Sequence, residues 1–214
     1  MFESQTSAAA SQSIPGDRRK YRSNCAASDV RQLFNLNLVA TTPKFSNRAL
    51  RILASDWQVS PILIVRSARF FTVTSGTDVA LTTAPSQTPN LVNTDPYPGN
   101  QSVNAWVSRS AFAAAAPGTY GNLGANNLKG PGMLQLNMAL SRTFSLREKK
   151  TLQLRAEAFN LPNHLNPNVP GTGSPITTPL NAGNFGQITS DISGNNGLNA
   201  GDYRIIQLAM KFVF

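Results

Sequence analysis

Thiol and imidazole groups are nearly missing from this chain: its 214 residues include one cysteine, Cys25, and one histidine, His164. A lone cysteine excludes an internal disulfide framework and a cysteine-based metal site, so Cys25 reads as a loop thiol. His164 lies in a Pro/Asn-rich stretch with no acidic or serine partner at a recognisable spacing. Neither a Gly-x-Ser-x-Gly, a His-Glu-x-x-His nor a paired-carboxylate arrangement occurs. No catalytic residue, cofactor or metal is therefore expected, and the chain is not expected to be an enzyme.

Acidic residues are also scarce, 10 against 19 lysines and arginines, giving a net charge of +9 and a pI near 10.3. Such a balance invites a nucleic-acid reading. The cations are scattered, however, and cluster only at Arg18-Arg19-Lys20-Tyr21-Arg22 and Arg147-Glu148-Lys149-Lys150. The basic and aromatic residues at 66–71 resemble a single-strand platform, but a strand emerging beside phosphate headgroups explains them equally well. No nucleic-acid partner is expected. The charged fraction, 14%, is low beside the roughly 25% of soluble domains, yet no run approaches the 18 or so apolar residues of a membrane-spanning helix. A membrane role would have to use strands. Met1-Phe2-Glu3-Ser4-Gln5 has neither the basic nor the apolar region of a secretory signal.

What the sequence does contain is period-2 alternation, the mark of a strand with one apolar face. From Ile206 to the end, Ile206, Leu208, Met210, Phe212 and Phe214 take every even position. Val30, Phe34, Leu36, Leu38 and Ala40 share one parity in an earlier segment, as do Trp57, Val59, Pro61, Leu63 and Val65 in a run from Trp57 to Thr74. Pro61 cannot donate to a ladder, which predicts a bulge or irregular pairing there. Leu134, Leu136, Met138, Leu140 and Phe144 alternate with Gln135, Asn137, Ala139, Ser141 and Thr143; Arg142 is the exception, placed where a long stem can snorkel. After a turn at 147–150, Leu152, Leu154, Ala156 and Ala158 alternate with Gln153, Arg155, Glu157 and Phe159, which predicts a hairpin.

Between these runs, residues 1–28 read as a loop or disordered lead-in to a segment spanning 29–214. Residues 44–55 form a connector with one helical turn around 49–53. Residues 75–132 and 160–202 are rich in Gly, Pro and Asn, with one brief strand predicted at 185–189. Long loops alternating with short connectors are the pattern of an antiparallel transmembrane β-barrel, whose extracellular loops are long and periplasmic turns short. Five membrane-length strands are expected, too few to close, so the fold class is an incomplete all-β barrel. In hydrocarbon the apolar set must face outward, leaving Arg66, Gln135, Asn137, Gln153, Arg155, Glu157, Gln207 and Lys211 toward the lumen. Trp57 and Phe214 fit an aromatic girdle on the periplasmic side. Leu208, Met210, Phe212 and Phe214 are expected to form the barrel-closing strand and its assembly signal.

Several motifs in order sharpen this: Ser28-Asp29-Val30-Arg31-Gln32-Leu33-Phe34, Asp56-Trp57-Gln58-Val59-Ser60, Phe71-Thr72-Val73-Thr74-Ser75-Gly76 and Pro89-Asn90-Leu91-Val92. They continue with Gly118-Thr119-Tyr120-Gly121-Asn122-Leu123-Gly124, Gly130-Pro131-Gly132, and Arg155-Ala156-Glu157-Ala158-Phe159-Asn160-Leu161 with Asn163-His164. The Gly118–Gly132 stretch lacks the strand, helix and Gly-Lys-Ser/Thr ending of a phosphate-cradling loop. Over residues 17–214 the chain resembles the C-terminal barrel region of TonB-dependent outer-membrane transporters, of the Oar-like group of acidobacterial type. Ala68-Arg69 and Asn24-Cys25-Ala26 depart from the usual pattern in loops.

The resemblance implies a chain that is not transport-competent alone. It would contribute lumen wall, extracellular loops and the terminal strand to a barrel of about 22 strands, whose remaining strands and plug lie outside it. Implied partners are outer-membrane lipid and lipopolysaccharide, the barrel-assembly machinery and, through the missing N-terminal part, the TonB complex. Arg155 and Glu157 read as a polar contact to wall or plug, or as a substrate contact. The competing expectation is a barrel anchor for a surface adhesion or secretion protein.

Overall fold

The alternating runs pair with one another. In the computed structural model, which describes residues 29–83, 87–147, 150–171, 177–192 and 203–214, the chain interleaves two units. The first takes in 33–66, 133–165 and 202–214 and is built on a six-stranded sheet. Its strands are Leu33–Asn37 (β1), Ala40–Thr41 (β2), Trp57–Arg66 (β3), Met133–Arg147 (β8), Lys150–Phe159 (β9) and Ile205–Val213 (β11). Every pairing is antiparallel, in the order β1-β3-β8-β9-β11 with β2 also on β3. At 10, 10 and 9 residues, β3, β9 and β11 match the roughly 9 to 11 residues of a tilted bilayer-crossing strand, and β8, at 15, is long enough to cross and extend beyond.

Register aligns the apolar parities across the whole sheet. One row runs Ala40, Val59, Leu140, Ala156, Leu208; the next toward the hairpin is Trp57, Arg142, Leu154, Met210, and beyond it Phe144, Leu152, Phe212. The residues between them populate the other face. The hairpin expected between β8 and β9 forms, with a register irregularity between Ser145 and Arg147.

The first predicted strand is shorter than its alternation suggests, starting at Leu33 and interrupted at Leu38-Val39. Pro61 is the cause. Leu38 donates to the Pro61 carbonyl at 3.2 Å, but Pro61 has no N–H to return, so pairing lapses there and resumes at Ala40. No register shift accompanies it: β3 stays in step with β8 straight through Pro61 and Met138. The irregularity is a missing bond, not a bulge.

The connector after β2 closes on itself, with Thr42 N–H donating to the Trp57 carbonyl at 2.9 Å and Trp57 N–H to Thr42 Oγ1 at 3.0 Å. It holds the predicted helical turn as a helix, Arg48–Ala54 (α1), whose first turn is capped by Asn47 Oδ1 accepting from Ala49 N–H at 2.9 Å.

The second unit takes in 1–32, 67–132 and 166–201, and it corrects three expectations. The run from Trp57 to Thr74 is not one strand: β3 ends at Arg66, and Phe70–Thr74 (β4) is the middle strand of a separate three-stranded sheet. There β4 pairs antiparallel with Leu128–Lys129 (β7) and parallel with Thr177–Pro179 (β10). Residues 185–189 form a turn leading into extended chain; the strand of that segment is β10. Nor is 75–132 structureless. It contains Asn90–Leu91 (β5) paired with Phe112–Ala113 (β6), and with β4 and residues 166–188 it supplies the buried apolar cluster of Phe71, Val73, Val107, Ala111, Phe112, Leu123, Leu128, Val169 and Phe185.

The glycine-bearing motifs serve this packing. A Cβ on Gly121 would overlap the main chain of Thr88 and Pro89, and one on Gly130 would overlap Val169, so both allow a close approach that no larger residue permits. Leu123 N–H donates to the Pro89 carbonyl at 3.2 Å and Thr88 Oγ1 to the Leu123 carbonyl at 2.6 Å, joining the Pro89–Val92 motif to the Gly118–Gly124 motif. The lead-in 1–28, with Cys25 and the Arg18–Arg22 cluster, and the turn residues Glu148-Lys149 lie outside the described residues.

Candidate functional site

Two surfaces carry chemistry. The first is the polar face of the sheet. Register places Arg66, Gln135, Asn137, Arg155, Glu157, Gln207 and Lys211 on one side, with Gln153. Glu157 stands opposite Gln207 and Ala139; Lys211 stands opposite Gln153; Arg66 pairs in register with Met133 at the other end. Arg155 and Glu157 form an ion pair, Nη2 to Oε1 at 2.5 Å. Gln135 Nε2 donates to Asn137 Oδ1 at 3.4 Å, and the same oxygen accepts the Asn160 N–H at 3.0 Å.

That last bond gives the Phe159-Asn160-Leu161 motif a structural role. Asn160, buried and in a left-handed conformation, ends β9 by turning the chain. Its Oδ1 accepts from His164 N–H and its Nδ2 donates to the His164 carbonyl, both at 2.9 Å. Asn163 Oδ1 accepts the Arg204 N–H at 3.0 Å just before β11. Asparagine suits these sites because its amide imitates a backbone turn and it tolerates left-handed φ.

The opposite face of the sheet is apolar and uncovered: Leu208 is 81% exposed and Phe214 89%. Near the hairpin it becomes aromatic, with Trp57, Phe144, Phe212 and Phe214 in neighbouring rows and Phe212 and Phe214 stacked at 6.0 Å between centroids. Arg142, the exception to the alternation, is accommodated here. Its guanidinium lies 5.3 Å from the Trp57 ring and 4.6 Å from that of Phe144, and it donates to the carbonyls of Ile52 and Leu53 at the end of α1. Sequence reasoning identified the arginine but missed its partner, because nothing in the spacing ties residue 142 to residue 53.

The second surface is a cavity of about 560 Å³ in the other unit, within the range of small-ligand sites. Leu91, Pro96, Leu123 and Leu128 form its apolar lining, with Tyr97 and Lys129 among the polar groups. Tyr97 Oη accepts the Lys129 N–H at 2.7 Å, and burial raises its pKa above the ordinary phenol value. No alternation marks these residues, so nothing in their order along the chain signals that they converge.

In the same unit, Asp78 organises residues 78–83. Its carboxylate accepts from Thr82 N–H at 3.0 Å, Thr83 N–H at 2.5 Å and Gln87 Nε2 at 2.6 Å. Led by the bond from Thr82, these hold its pKa below the ordinary 3.8. A carboxyl depressed on folding stabilises above its unfolded pKa and loses that contribution as pH falls through the folded one. Hydrogen-exchange protection at Thr82 and Thr83, corrected for intrinsic rate, is therefore expected to hold at about pH 5 and to decline below about pH 3.8, with Asp78→Asn abolishing the dependence. Protection that is flat with pH in the native chain would reject this role.

Compared with known proteins, residues 2–207 match the model of a family described as outer membrane beta barrel domain. No curated protein and no solved structure is similar to the chain.

Proposed function

We propose, from the premise that the chain belongs to the outer membrane beta barrel domain family and so resides in the bacterial outer membrane, that it builds wall and external loops of a TonB-dependent transporter of the Oar-like kind. The observation that carries this is the open sheet. Among the described residues β1 and β2 line one edge and β11 the other, each with a neighbour on one side only. Unpaired edges at membrane depth cost several kcal/mol for each unsatisfied group, so the sheet needs further strands to live in lipid.

In this reading the apolar face meets lipid and the face bearing Arg66, Gln135, Asn137, Arg155, Glu157, Gln207 and Lys211 lines the lumen. Leu208, Met210, Phe212 and Phe214 belong to the strand that the barrel-assembly machinery engages. The loops at 75–132 and 160–202 are extracellular in this reading, beside lipopolysaccharide. Plug and TonB contacts come from the remainder of the barrel, and no step of catalysis or cofactor chemistry is involved.

A barrel anchor for a surface adhesion or secretion protein is the second reading, favoured by the loop unit having a core of its own. An antibody against residues 75–132 separates the possibilities on blots of outer-membrane fractions. A band far above 23.0 kDa that crosslinks to TonB is expected. A large band that never crosslinks to TonB would favour the anchor, and a band at 23.0 kDa alone would sink both the larger barrel and the transporter.

A further inference from the structure

We infer that α1 is a membrane-surface helix: it lies on the apolar side of the sheet with Leu50 and Leu53 in the acyl boundary, and Arg48 and Arg51 on anionic phospholipid headgroups. The proposal rests on the reading that the apolar sheet face meets lipid, and it extends that face to an element outside the strands.

Three observations carry it. The first is position. The carbonyls ending α1 are held by groups of the apolar face itself: Leu53 accepts from Trp57 Nε1 at 2.8 Å, and Ile52 and Leu53 accept from the Arg142 guanidinium. Trp57 and Arg142 are opposed in register on β3 and β8. The end of the helix is therefore tied to the outer side of the sheet, at the row where the aromatics begin, and not to the face bearing Arg155 and Glu157. Aromatic side chains with one apolar and one polar end are enriched at the membrane–water boundary.

The second is the helix surface. At about 100° per residue, Ala49, Leu50, Ile52, Leu53 and Ala54 fall on one side, with Leu53 at its centre, and Arg48 and Arg51 fall on the other. No residue of α1 is buried, and Leu53 is 71% exposed. A helix whose leucines and isoleucine are exposed on one side and whose arginines occupy the other has the division expected of an element lying in a lipid interface.

The third is charge. Between β2 and β3 the connector carries Lys44, Arg48 and Arg51 against a single acidic residue, Asp56, which directly precedes β3. That matches an anionic headgroup layer. Leu50, Ile52 and Leu53 are exposed, as are Leu208, Met210 and Phe212 on the apolar side of the sheet.

The test is nitroxide scanning of the full chain, with Cys25→Ser as background, in outer-membrane vesicles and in vesicles containing phosphatidylglycerol. Labels at Leu53→Cys and Leu50→Cys, both exposed positions, are expected to favour oxygen over a water-soluble nickel complex and to report a depth about 5 to 10 Å into the headgroup and acyl boundary. A label at Arg48→Cys is expected to favour nickel. Leu140→Cys on β8 serves as the reference. If it too is aqueous, the lipid-facing reading of the sheet fails. If Leu140 is immersed while Leu50 and Leu53 are as aqueous as Arg48, the inference about α1 alone is overturned. Labels at Leu50 and Leu53 that are immobilised and shielded from both reagents would overturn it in favour of a protein contact.

Discussion

Replacing Leu140 with arginine is expected to cost the membrane-inserted protein about 2 to 4 kcal/mol and to reduce severely the fraction that reaches a folded, membrane-inserted state. Leu140 occupies the row Ala40, Val59, Leu140, Ala156, Leu208, with other apolar rows on either side of it. A guanidinium there has no acidic residue in its row and is several residues from either end of the 15-residue β8, too deep for its stem to reach water readily. Arg142 shows what such a side chain needs: two aromatic faces and two helix-end carbonyls. The control is one residue away. Ala139 is on the opposite face, directly across from Glu157, so Ala139→Arg meets a carboxylate and polar neighbours and is expected to fold nearly as the native chain does. Urea unfolding from vesicles, read by the heat-dependent shift of the folded band on gels, measures both. Equal losses at 139 and 140 would reject the assignment of faces.

The comparison depends on phase, the property the sequence displays best. Because side chains alternate strictly along a strand, the parity of β3, β8, β9 and β11 can be read without knowing their partners, and the observed register joins like parity to like at each pairing. Strand interruptions are harder to see. The gap at Leu38-Val39 arises from a proline on the neighbouring strand, which becomes a neighbour only through pairing. The end of β3 at Arg66 is hidden for a different reason. Phe70–Thr74 continues the β-branched and aromatic composition, but all five residues are buried, and a strand covered on both faces has no outward parity to compare.

The loop unit was illegible for a further reason: its segments satisfy much of their backbone through side chains, which have no period. Thr72 Oγ1 accepts the Asn126 N–H at 2.9 Å and donates to Asn126 Oδ1 at 3.1 Å. Asn122 Oδ1 accepts the Leu91 N–H at 2.7 Å, and Asn90 Oδ1 accepts the Asn122 N–H at 3.0 Å. Such bonds replace ladder pairs where the chain is irregular. The abundance of asparagine in these stretches was the available sign, and it reads as loop composition until the partners are known. The parallel pairing of β10 with β4 joins Thr177 to Thr72, a contact across more than a hundred residues of chain that no local pattern encodes.

Phe71→Ala tests whether that unit has a stability of its own. Phe71 is fully buried, sits on the central strand of the β10-β4-β7 sheet, and belongs to the cluster shared by residues from both long loops. Truncating a core phenylalanine typically costs about 3 to 5 kcal/mol, part of it from the cavity left behind. That is a large share of the roughly 5 to 15 kcal/mol that holds a whole domain, so the loop unit is expected to open. The sheet loses nothing directly, since every strand pair from β1 to β11 within it avoids Phe71. Outer-membrane insertion should therefore persist while trypsin added to intact cells cuts at Arg109 and Lys129, sites that the native fold places in structured chain. In the native protein Arg109 donates to the carbonyls of Leu180 and Ala182 and stacks over the Phe185 ring at 4.9 Å, which ties the two loops together and resists cleavage. If Phe71→Ala instead removes the protein from the membrane, loops and sheet fold as one cooperative body; if it leaves the native protease pattern, the cluster does not hold the loops. Selective cleavage with insertion intact is the result that an independent loop core requires.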